Sequence, residues 1–87
     1  MTYKLLIVKD VVAFLKHQQK SIIKKSLTAF DEIADNPFVN RYDIKKMQGY
    51  TNHYRLRLGK IRFLYEIREQ EILIFFYKAG YRGDIYK

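Results

Sequence analysis

Between Tyr54 and Tyr65 apolar and basic residues alternate at period two, break at Gly59-Lys60, and alternate again. Period two is the signature of a half-buried strand, and a two-residue break reads as a tight turn, so this stretch is a β-hairpin. Gly59 supplies the positive φ that a type I′ or II′ turn needs at its first position. The register follows from the turn. Leu58 faces Ile61, Leu56 faces Phe63 and Tyr54 faces Tyr65 on one side, while Arg57 faces Arg62 on the other, with Arg55 one step along. Like charges directly opposed destabilise a sheet. Three clustered arginines therefore point to a bound polyanion, or else to stems that cover Leu64 and Phe75 while their guanidiniums stay in water.

The remaining pattern supplies five more elements. Residues 3–8 (YKLLIV) read as a strand. Asp10 reads as the N-cap of a helix over 11–19, with Val12 and Leu15 buried and Val11 and Phe14 beside them. A second helix covers 21–35, where Ile23, Leu27, Phe30 and Ala34 form the apolar stripe, flanked by Ile22, Ser26 and Ile33. Lys20, Lys24 and Lys25 mark its polar side, and Asn36-Pro37 ends it, because a residue before proline avoids the helical region. Residues 38–42 connect to a short strand over 44–47, closed by Gln48-Gly49. A tight Glu69-Gln70 turn leads into a last strand over 71–78, and that pairing puts Tyr77 opposite Arg62.

The order β-α-α-β-β-β-β predicts one α+β domain over 1–87, a helical hairpin packed on one face of an antiparallel-dominated sheet. The apolar sheet face is Leu56, Phe63, Tyr65, Ile67, Ile72, Ile74 and Phe76. The opposite face is mixed: Arg55, Arg57, Arg62, Glu66 and Tyr77, with Leu64, Leu73 and Phe75 exposed among them.

Charge sharpens this picture. Seventeen Lys and Arg against nine Asp and Glu give +8, an electrostatic footprint suited to nucleic acid or an acidic protein. Eight tyrosines accompany the arginines, and both residue types stack on bases or hold phosphate. The absence of cysteine excludes disulfides and thiolate metal sites and fits a reducing compartment. No apolar run reaches membrane-span length, and the first nine residues do not form a signal peptide, so the expected location is the cytoplasm.

The order of elements, the NPF after the second helix, IKKMQGY before the hairpin, and YRLRLGKIRFLYEI followed by AGYRGDIY resemble the RelE/ParE superfamily of toxins from type II toxin–antitoxin systems. The resemblance covers nearly the whole chain and leans to its RelE-like branch. It implies a ribosome-dependent endoribonuclease that cuts mRNA in the A site, without metal or other cofactor, and a cognate antitoxin as partner beside ribosome and mRNA. The site residues it implies are Arg55 and Arg57 on the third strand, Arg62 on the fourth, and Arg82 and Tyr86 near the C-terminus. Lys24, Lys25, Lys45, Lys46 and Tyr81 are its candidate contacts to RNA or ribosome; Tyr81 stands where many relatives have histidine. The other readings are a ParE-like inhibitor of DNA gyrase and a catalytically inert relative that binds RNA or antitoxin.

RNA carries its own nucleophile, the 2′-hydroxyl, so the implied reaction gives a 2′,3′-cyclic phosphate and a 5′-hydroxyl. Its transition state gathers charge on phosphate oxygens, which preorganised guanidiniums stabilise. Arginine does not give up its proton, so the base is not among these arginines. His17 reads as a solvated helix residue. His53 enters the third strand on the basic face, and Glu66 shares that face, placed to act as a base or to neutralise a neighbouring cation. Tyr86 is placed to orient the 2′-hydroxyl, stack on a base or donate a proton. Arg82 has Asp84 as an alternative partner, and Tyr77 and Tyr86 also read as edge-of-core aromatics.

Overall fold

The Gly59-Lys60 break folds as its pattern predicts. In the computed structural model, which describes residues 2–39 and 41–81, Gly59 has φ +60° and joins β3 (His53–Leu58) to β4 (Ile61–Arg68). Leu58 pairs with Ile61, Leu56 with Phe63, Tyr54 with Tyr65 and Arg57 with Arg62. The other elements are β1 (Lys4–Ile7), α1 (Lys9–Lys16), α2 (Lys20–Asp35), β2 (Asp43–Lys46) and β5 (Leu73–Tyr81). The sheet order is β1-β5-β4-β3-β2, antiparallel except for β1, which runs parallel to β5 at one edge.

Both helices contribute to a single core on one sheet face. Val11 and Leu15 of α1, and Ala29, Phe30, Ile33 and Ala34 of α2, bury against Leu56, Phe63, Tyr65, Ile67, Ile74 and Phe76. Phe30 is its centre, stacked on Phe76 at 3.9 Å and edge-on to Phe63 at 4.9 Å.

Several expectations need correction. Asp10 is not an N-cap. Val8 holds that position in extended conformation and its carbonyl accepts from the amides of Val11 and Val12, leaving Asp10 in the first turn, where its charge suits the helix dipole. The helix stops at Lys16, because His17 and Gln18 donate to carbonyls three residues back and tighten the last turn. Val12 and Leu27 are exposed and Val11 is buried. In α2 the buried side runs through Ser26, Ala29 and Ile33, so the helix is rotated by somewhat less than the ~100° between successive residues. Small side chains at Ser26 and Ala29 let the helix axis approach the sheet there, and Leu27 is left at the margin.

The last turn is longer than predicted. A 3₁₀ turn (Glu69–Glu71) is followed by Ile72 in the left-handed region at φ 51°, so Ile72 is exposed instead of joining the apolar face. Arg68 consequently pairs with Leu73, and a β-bulge between Leu64 and Tyr65 shifts the register again. Arg62 therefore faces Gly80, not Tyr77. No helix among the described residues is long and apolar enough to cross a membrane.

Candidate functional site

The sheet face turned away from the helices carries the site. Strand alternation assigns it Asp43 and Lys45 from β2, His53, Arg55 and Arg57 from β3, and Arg62, Leu64, Glu66 and Arg68 from β4. On the next two strands, Leu73 and Phe75 of β5 and Leu6 of β1 make its far side apolar.

At the basic end the predicted arginines do converge. Arg57 stands across from Arg62 on one side and from Asp43 on the other. Asp43 was not singled out by the sequence, because the strand was expected to begin after it. Its carboxylate accepts from Arg55 Nη2 at 2.7 Å and lies 3.7 Å from Arg57 Nη1. One acid thus offsets part of the repulsion among three arginines. Their environments differ. The Arg57 side chain is 51% exposed and that of Arg55 only 12%, while Arg62 is buried at 5% and donates from Nη1 to the Gly59 carbonyl at 3.1 Å. Arg57 is therefore the guanidinium that projects furthest into solvent, and Arg62 is built into the hairpin.

An open cavity of about 780 Å³ has Arg55, Lys45, Lys46, Tyr50, His53 and Tyr77 among its lining residues, with Met47, Leu64 and Lys78. Both β2 lysines line it, although they alternate along the strand, because Lys46 is the last strand residue before the loop. Leu64 is 4% exposed, not the free apolar residue expected; it lies between Arg55 and Lys78 in the register. Phe75, also expected to be free, is half-buried, with the Arg68 guanidinium 4.7 Å from its ring centroid.

Within this lining His53 meets two ionisable side chains, Tyr77 on the same wall and its cross-strand partner Glu66. His53 Nδ1 lies 2.9 Å from Tyr77 Oη, and His53 Nε2 lies 3.6 Å from Glu66 Oε2. The other oxygen of Glu66 accepts from Arg68 Nε at 2.7 Å. Burial, then the Glu66 carboxylate and Tyr50, push the Tyr77 hydroxyl above its ordinary pKa, so it keeps its proton at neutral pH. His53 and Glu66 are direct cross-strand partners, which the hairpin register implies once it is continued past Tyr54. Tyr77 reaches them through the bulge, and Tyr50 sits on a loop with no periodic signal.

The remaining predicted residues divide. Lys24 and Lys25 are exposed on α2. Lys25 borders a second cavity of about 540 Å³ at the hairpin end, together with Arg57 and Tyr81. Tyr81 is not on the basic face. It pairs with Ile61 on the helix side, bonds Gln18 and packs edge-on against Phe14 at 5.3 Å. Arg82 and Tyr86 lie outside the described residues.

Comparison with known proteins gives a consistent result. A family model described as the ParE toxin of type II toxin–antitoxin systems matches residues 5–85. Toxin RelE3 of Methanocaldococcus jannaschii is 34% identical over 85 residues, spanning 95% of this chain and 94% of its own. The archaeal RelE–RelB complex from Pyrococcus horikoshii OT3 contains a chain that superposes with TM-score 0.85 at 30% identity, covering 97% of this chain and 99% of that one. The RelB–RelE antitoxin–toxin complex from Methanococcus jannaschii gives TM-score 0.76 at 32% identity, covering 94% and 95%.

Proposed function

This chain belongs to the RelE/ParE superfamily of type II toxin–antitoxin toxins, and on that premise we propose that it is a ribosome-dependent endoribonuclease that cleaves mRNA in the A site and so stops translation. The observation that carries this reading is the basic end of the outer sheet face. Arg57 and Arg62 stand directly opposite each other, with Arg55 adjacent, a concentration of positive charge in which the half-exposed Arg57 is open to a polyanion.

The chemistry needs little else from the protein. The ribosome holds the mRNA, and alignment of the 2′-hydroxyl with the adjacent phosphorus is itself worth several kcal/mol. Arg57 is exposed enough to fork onto phosphate oxygens, and Arg55, held by Asp43, presents a fixed positive charge beside it. Arg82 and Tyr86 complete the set, the arginine on the phosphate and the tyrosine on ribose or base. Because RNA supplies the nucleophile, the reaction proceeds without metal. Lys24 and Lys25, with Lys45 and Lys46, add phosphate contacts to mRNA or ribosomal RNA, and the site of action is the cytoplasm, where ribosomes are.

A cognate antitoxin is the second partner. The solved relatives from Pyrococcus horikoshii and Methanococcus jannaschii are both complexes with RelB, and this chain offers an apolar flank (Leu6, Leu73, Phe75) beside a strongly basic face. An acidic, amphipathic segment suits that combination.

The family description itself favours a second reading, ParE-like inhibition of DNA gyrase. Expression in a bacterial host separates the two. RNA cleavage predicts growth arrest with degraded mRNA, abolished by Arg57→Ala, Arg62→Ala or Arg82→Ala in protein whose melting curve shows it folded. DNA-damage signalling with intact mRNA, or arrest that persists in all three variants, would contradict it.

A further inference from the structure

The arginines cannot supply the base that the proposed cleavage requires, yet two residues along β3 from Arg55 the fold assembles a Tyr–His–Glu array whose tyrosine and histidine line an open, cation-rich cavity. We propose that Tyr77, His53 and Glu66 form the proton relay of the RNA-cleaving site, with Tyr77 facing the ribose 2′-hydroxyl and His53 storing the proton. The relay rests on the ribonuclease reading above and deepens it.

The geometry is that of a base oriented by a carboxylate. Glu66 sits beside Nε2 of His53 and favours the tautomer protonated there. Nδ1 then has a free lone pair, and Tyr77 O–H donates into it at 2.9 Å. Met47 Sδ, 3.8 Å from the same hydroxyl, is the weaker alternative acceptor. Glu66 is itself fixed by Arg68 from the far side. The fold places the pieces deliberately. His53 and Glu66 are cross-strand partners, and the β5 bulge breaks alternation so that Tyr77 and Lys78 both line the cavity. Bulges re-aim side chains in this way beside active sites.

The surroundings suit an RNA strand. Tyr50, 58% exposed, holds its ring 5.5 Å from that of His53 and offers a stacking platform for a base. The groups facing His53 are Tyr50 from the loop, Glu66 from β4 and Tyr77 from β5, with Arg68 bonded to Glu66 and Lys45, Lys46, Arg55 and Lys78 as the cations of the cavity. A cavity of this size is in the range of nucleotide-sized ligands.

The step balances. The 2′-hydroxyl proton passes to Tyr77 Oη as the tyrosine's own proton passes to His53 Nδ1. The electron pair left on the 2′-oxygen forms the new bond to phosphorus. The bond from phosphorus to the 5′-oxygen breaks, its electron pair leaves with that oxygen, and water protonates it. The imidazolium then returns its proton to the hydroxide so formed.

The test is single-turnover cleavage of mRNA on programmed ribosomes at saturating full-length protein, from pH 5.5 to 8.5, for wild type, Tyr77→Phe and His53→Gln. Melting curves establish folding, and Tyr77→Phe, which keeps its ring, decides the matter if His53→Gln fails to fold. The expected result is a rate constant at least about 100-fold lower in each variant, with the wild-type dependence of the rate on pH lost. An mRNA carrying sulfur at the 5′-bridging position does not restore the rate, because its leaving group needs no proton. Wild-type rate and pH profile in both variants, a defect confined to binding, or rescue by the sulfur substrate each overturns the relay while leaving the ribonuclease reading intact. No cleavage by wild type overturns that reading, and the relay with it.

Discussion

Single residues here are tuned by neighbours more than by type. Arg55, Arg57 and Arg62 are alike in sequence, but Asp43 fixes the first and leaves the second half exposed, while the third is folded into the hairpin through Gly59. Tyrosines divide in the same way. Tyr65 is fully buried, and among the described residues its hydroxyl has no hydrogen-bond partner. Burial, then Tyr54, raise its pKa, and Tyr77 is raised as well. A raised tyrosine pKa means the folded state disfavours the phenolate, so the stability it holds is complete below about pH 10 and is lost as pH climbs through the raised value. Tyr65→Phe should therefore be neutral or gain about 1 kcal/mol at pH 7 and should lose less stability than wild type between pH 9 and 11. Urea denaturation at both ends of that range measures it, and a loss above ~1 kcal/mol at pH 7 would mean the hydroxyl is bonded after all.

At the scale of elements, the hairpin rule held, while the helix cap at Asp10 and the turn into the last strand did not. The β3–β4 hairpin was legible to the residue because one glycine in a two-residue break fixes register, and register fixes every face. The final strand was not, because a 3₁₀ turn, a left-handed Ile72 and a bulge each move the pairing, and none disturbs the apolar run that marks the strand. That is also why the Tyr77–His53–Glu66 array was hidden: two members follow from the hairpin and the third depends on the bulge. In α2 the rows through Ile23 and through Ile22 are both apolar, and only the sheet it meets decides between them. This assignment makes a clear contrast. Leu27→Ser should cost less than about 0.5 kcal/mol, whereas Ile33→Ala should cost ~2–5 kcal/mol. Equal losses in chemical denaturation would return the helix to the other orientation.

The whole molecule separates its tasks by sheet face. The helices and the core occupy one side, so the other is free to carry charge that a core would not tolerate. Along that outer face, apolar residues at the β1 edge give way to the His53 cluster and then to arginines. With a formal charge of +8, the free protein is poised for an anionic partner, and RNA and an acidic antitoxin compete for the same surface under this account. The fold class and the basic face were readable from alternation and charge alone. What the alternation did not reveal were the partners of those charges, Asp43 and Arg68, because an ion pair leaves no periodic trace.

The most direct test of the central claim is cleavage of 5′-labelled mRNA by purified protein on programmed ribosomes, beside the same mRNA without ribosomes. The account predicts a discrete cut within the A-site codon, ending in a cyclic phosphate, present only with ribosomes and lost in Arg57→Ala. Intact mRNA in both reactions would contradict it, and a cut of equal rate without ribosomes would contradict the ribosome dependence on which the mechanism relies.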